Sequence, residues 1–110
     1  ALEINPSKGK IMSLKTFRTY QLAVDFHRLC RTLKLPGYLK NQLLRASSSV
    51  ALNVAEGSAK PTVPDQRRFY AIALGSLRES QAALDLLGST PTEIAALSDQ
   101  LGACLYRLCH

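Results

Sequence analysis

The chain has no tryptophan, and no apolar run approaches the ~18 uncharged residues that a membrane-spanning helix needs. The amino end lacks the short greasy stretch of a secretion signal, so the expected location is the cytoplasm, with no membrane partner. Cysteine is scarce and odd in number: Cys30, Cys104 and Cys109 make no disulfide framework, and buried free thiols are the expectation. Cys104 and Cys109 stand five positions apart, so on a helix they point to different sides. Neither His27 nor His110 falls in a ligand-spaced cluster with these thiols, so no metal and no cofactor is expected.

Catalytic groupings are missing too. Three consecutive serines, Ser47 to Ser49, have no paired histidine and make no triad. The acids do not follow the paired Glu and Glu-x-x-His arrangement of di-metal helical bundles. Gly57 to Lys60 lacks the spaced glycines and the Lys-Ser/Thr ending of a phosphate loop. The chain therefore reads as non-enzymatic, with no small-molecule substrate.

Apolar residues make up 46% of 110 positions, enough to close one core but too few for two domains. Residues 1–14 hold Pro6, Gly9 and little apolar periodicity, and read as a flexible lead-in or a non-native remnant, with Met12 a candidate natural start. The single domain is expected over 15–110.

Within it the spacing predicts four helices. Leu22, Phe26, Leu29 and Leu33 line one side of a first helix from about Lys15 to Lys34, which Pro36 and Gly37 end. Leu39, Leu43, Val50 and Val54 line a second over about 38–59, stopped by Pro61. Thr62 can cap a third, with Pro64 and Asp65 in its first turn, running to about Leu87 and closed by Gly88. Thr90, Pro91 and Glu93 suggest a capping box opening a fourth toward Cys109, with Ile94, Leu97, Leu101, Leu105 and Leu108 as its seam. No strand-like alternation appears, and the connections are short. The fold class is all-α: an up-and-down antiparallel four-helix bundle.

Residues 46–55 and 69–77 carry no charge, more apolar and small surface than a bundle helix needs for its own core, which favours a contact between subunits. An antiparallel hairpin joined at 60–62 brings Ser48 and Ser49 near Gly75 and Ser76, so small side chains let the helices approach closely. It also brings Asn53 near Tyr70, Glu56 near Arg67 or Arg68, and Arg45 near Glu79. Arg45, Ser49, Asn53 and Glu56 form a polar stripe along the second helix, read as setting its register against the third rather than as a ligand site. An Arg45–Glu79 ion pair is expected from this register.

The net charge of +6 is unevenly placed: residues 1–45 carry nine Lys or Arg against Glu3 and Asp25, and 46–110 carry five against six acids. Basicity thus belongs, by sequence, to the amino-terminal part. Arg18, Arg28, Arg31, Lys34 and Lys40 are the candidates for holding RNA or another polyanion through phosphate neutralisation. The other reading of these residues is an ordinary solvated helix face.

The run QLLRASSSVALNVAEGSAK, followed by RRFYAIALGSLRES, resembles the four-helix-bundle family encoded by intervening sequences in bacterial 23S ribosomal RNA genes. The residues that carry it include Gln42, Leu43, Arg45, Ala46, Ser49, Asn53, Ala55, Glu56 and Gly57, then Arg68, Phe69, Ala73, Gly75, Ser76, Leu77 and Glu79. The resemblance implies a homopentameric ring, and links to basic accessory bundles of diversity-generating retroelements that engage nucleic acid and a reverse transcriptase. It implies no established biochemical activity. Two functions follow: a homo-oligomeric bundle that binds RNA through a basic helix-one face, or a protein-interaction scaffold or accessory subunit that does not touch nucleic acid.

Overall fold

A computed structural model of the chain describes residues 2–5, 10–14 and 17–110. Four helices, α1 (Arg18–Arg31), α2 (Gly37–Ser58), α3 (Val63–Leu87) and α4 (Thr92–Cys109), run antiparallel in an up-and-down bundle of 44 × 22 × 20 Å. Each helix packs on the next in sequence, and α4 returns to α1 to close the bundle.

The ends follow from local chemistry. At the start of α3, the Thr62 hydroxyl accepts from the Asp65 amide (3.4 Å), and Gly88 ends the helix with φ +90°, a left-handed conformation that costs glycine little. Helix α1 stops at Arg31 rather than Lys34. The Thr32 hydroxyl donates to the Leu29 carbonyl (2.6 Å), and Pro36 keeps the residue before it out of the helical region. The expected start at Lys15 lies outside the described residues. The capping box proposed for α4 does not form. Pro91 takes the cap position instead of Thr90, no side chain bonds the first turn, and Glu93 remains there to complement the helix dipole.

Two short strands were not foreseen. Leu2–Asn5 (β1) and Lys10–Ser13 (β2) pair antiparallel in the register Leu2↔Ser13 to Asn5↔Lys10, so the reading that no strand occurs is corrected. Four-residue strands are too short for alternation to stand out in a sequence. They lie outside the bundle helices and leave the fold class unchanged.

The core is the one the periodicities mark. Leu22, Phe26, Leu39, Leu43, Val50, Val54, Leu77, Ile94, Leu101 and Leu105 are buried, with Leu29, Leu33, Leu97 and Leu108 packed at its margin. Cys30 joins them at 0% exposure. Among the described residues no helix is long and apolar enough to cross a membrane.

Candidate interaction surfaces

The five helix-one cations do not form one face. Arg18 and Arg28 are exposed and share a shallow groove with Tyr20, Gln21, Val24 and Asp25, so a carboxylate sits between them. Arg31 is exposed in the last turn, and Lys34 is exposed just beyond it. Lys40 is used differently: its ammonium reaches back from α2 to donate to the Arg31 (3.3 Å) and Leu33 (3.0 Å) carbonyls. It thereby satisfies carbonyls that the end of α1 leaves without helical donors, and its charge complements the helix dipole there. Lys40 is thus a structural cap at the end of α1.

The polar stripe divides in the same way. At its centre the Ser49 and Ser76 hydroxyls lie 2.8 Å apart across the α2–α3 seam. The Asn53 amide donates to the Ser49 carbonyl (2.9 Å) and hydroxyl (3.0 Å), and Ser80 donates to the Ser76 carbonyl (2.9 Å). Asn53 thus turns back on its own helix. At the ends, Arg45 and Glu79 are both exposed, and Glu56 pairs with Lys60 (3.7 Å) rather than with Arg67 or Arg68. That is the only ion pair among the described residues, so the expected Arg45–Glu79 pair is not made. Two long side chains in water gain little by holding one geometry, so facing positions alone do not produce a contact.

The helices α2 and α3 meet at Ser49 and Ser76, as the register predicts, and approach closely again near the turn at Gly57. A Cβ on Gly57 would stand 2.9 Å from Tyr70 Cε1 and 3.0 Å from Phe69 Cβ, whereas one on Gly75 would meet nothing within 4 Å. The Ser48 hydroxyl bonds the Arg45 carbonyl of its own helix (3.0 Å). Of the three residues assigned to close packing, Ser76 meets Ser49 across the seam, and Gly75 has open space where a side chain would stand.

Three groups of contacts had no sequence signal, and the first corrects the reading that the serines have no paired histidine. His27 Nδ1 lies 2.8 Å from the Ser47 hydroxyl, joining α1 to α2; Ser47 can accept from the ring N–H while donating to the Leu44 carbonyl (3.4 Å). Burial, and secondarily the charge of Arg31, hold the His27 pKa below its ordinary value. Between α3 and α4, Gln81 donates to Ser98 (2.7 Å) and accepts from Arg78 (2.9 Å). At the α2–α3 turn, Gln66 donates to the Lys60 carbonyl (2.7 Å), and the Phe69 ring carries both Lys60 (4.9 Å) and Arg68 (4.5 Å).

The uncharged segments are not fully covered within one chain. Leu52 is 69% exposed and Ile72 43%. Leu52 stands one turn after Ser49, and Ile72 one turn before Ser76, so both flank the serine contact on the outer side of the seam. Among the described residues no three His, Cys, Asp or Glu side chains gather as a metal-ligand group.

A family model described as 23S rRNA-intervening sequence protein matches residues 16–102, which takes in all of α1, α2 and α3 and the first part of α4. No curated protein matches the chain.

Proposed function

We propose a non-catalytic assembly and binding role for this chain, which belongs to the 23S rRNA-intervening sequence protein family. The observation that carries the reading is the outer side of the α2–α3 seam. Here Leu52 and Ile72 stay in water although the chain has buried a complete core beneath them. Covering them with a second copy removes apolar surface from water at about 25 cal/mol per Å². Copies joined through this face, as the homopentameric ring implied by the family resemblance, multiply whatever else each surface presents.

The second part of the proposal is that the multiplied surface binds RNA through exposed cations, Arg18, Arg28, Arg31 and Lys34 among them. Weak single contacts then become avid ones through effective concentration.

Mass by light scattering tests the assembly. The intact chain should run as an oligomer, and Leu52→Glu with Ile72→Glu should reduce it to a monomer with unchanged helical circular dichroism. A monomeric intact chain overturns the assembly reading. A labelled structured RNA that fails to bind even at low salt overturns the RNA part, and the interaction scaffold or accessory subunit then replaces it.

A further inference from the structure

The sequence puts its excess of cations in the first 45 residues, but the fold redistributes them. Because the helices alternate in direction, the start of α1, the α2–α3 turn and the end of α4 share one end of the 44 Å axis. The edge-on contact of Phe17 with Tyr70 (centroids 6.4 Å apart) ties the first two of these together. That end therefore collects Arg18, Lys60, Arg67, Arg68 and Arg107. Its nearby acids are Asp65 and Glu56, with Asp25 in the groove beside Arg18, and Glu56 is already paired with Lys60. The last turn of α3 and the first turn of α4, which carry Asp85 and Glu93, lie at the opposite end.

Part of this cationic end is held in place before any partner arrives. Gln66 fixes the turn through the Lys60 carbonyl, and the Phe69 ring seats Lys60 and Arg68 within 5 Å of its centroid. Two cations on one ring repel each other, and a single carboxylate offsets only one of them. Preorganised, undercompensated charge of this kind favours an anion, because little side-chain freedom is left to lose on binding.

We propose that the α2–α3 turn end of the bundle is a phosphate-backbone site for nucleic acid, built from Arg18, Lys60, Arg67 and Arg68, and that it contributes more than the distal helix-one cations Arg28 and Arg31. The inference rests on the RNA-binding reading above and places its main contact. Arg67 and Arg68 are exposed and free of hydrogen-bonded partners among the described residues. Arginine matches phosphate oxygens with a planar pair of donors. Contacts to the backbone carry no base preference, so the site binds by charge and position.

The test is fluorescence polarisation of a labelled single-stranded RNA against the full chain over a series of salt concentrations. One variant pair removes distant charge (Arg28→Gln with Arg31→Gln). A second removes pole charge without touching the Phe69 ring (Arg18→Gln with Arg67→Gln), and Arg68→Gln is a third. Circular dichroism and light scattering confirm that each keeps the fold and the mass of the intact chain. Each lost phosphate contact should flatten the logarithmic salt dependence by about 0.7, so the Arg18 and Arg67 pair should flatten it by roughly 1.4 and weaken low-salt binding about tenfold. The Arg28 and Arg31 pair should do distinctly less. Equal losses from both pairs, or a larger loss from the distant one, overturn the pole while leaving RNA binding standing. No binding by the intact chain at low salt overturns the RNA-binding reading itself.

Discussion

The hydroxyls of Ser49 and Ser76 meet 2.8 Å apart across the α2–α3 seam, and Asn53 donates to the same Ser49 oxygen from one turn further along. The three side chains hold one another's polar atoms where two helices would otherwise press them against apolar neighbours. Such a contact is worth little net while both partners remain, but losing one partner strands the other. Ser49→Ala and Ser76→Ala should each cost about 1 kcal/mol in urea denaturation. The double variant should cost less than the two together, because no unpaired hydroxyl is left behind. Additive costs would mean that the two serines stabilise independently.

Gly57 and Gly75 both lie inside long helices but should respond oppositely to alanine. At Gly57 the added methyl would press on Tyr70 and Phe69 at 2.9 and 3.0 Å, and the resulting shift should cost about 1–3 kcal/mol. At Gly75 the methyl meets open space, so better helix propensity should stabilise the fold by about 0.5–1 kcal/mol. Equilibrium unfolding of the two variants checks the pair, and the same sign for both would contradict the packing described.

His27 makes stability depend on pH in a defined direction. Its folded-state pKa is lowered from 6.5, chiefly by burial and then by Arg31, so the unfolded chain takes up the proton first. Stability from this group is therefore complete above about pH 6.5 and is lost as the pH falls from there through the folded-state pKa. Urea midpoints measured from pH 7.5 down to 5.5 should decline for the intact chain. His27→Gln should flatten that decline, and an unchanged slope in this variant would show that another group is responsible.

Cys30 should be the protected thiol. It is fully buried, and burial pushes its pKa up to about 12, so almost no thiolate is available near neutrality. Cys104 and Cys109 lie at partly exposed positions. A thiol-specific chromogenic reagent should label Cys104 and Cys109 in the native protein and Cys30 only once the chain unfolds. Native-state labelling of Cys30 as fast as the other two would contradict its position in the core.

The bundle itself was legible because helix ends and apolar seams are written in local signals. Thr62 before Pro64, Gly88 after Leu87, and Leu39, Leu43, Val50 and Val54 at helical spacing each act within a turn or two of the chain. The site was less legible. Lys40 looked like one more surface cation and is a helix cap, while the Arg45–Glu79 pair was expected from facing positions that solvent leaves apart.

The sequence by itself determined four helices, their near-final boundaries, one core and the chain's basic excess. Only the tertiary structure decided that His27 meets Ser47 and that Gly57 rather than Gly75 lets the helices close. The physical reason is rotational. Each residue turns the helix by about 100°, so which polar groups meet depends on how every helix is rotated and slid against its neighbours. That setting comes from the packing of the whole core, and no short stretch of sequence carries it.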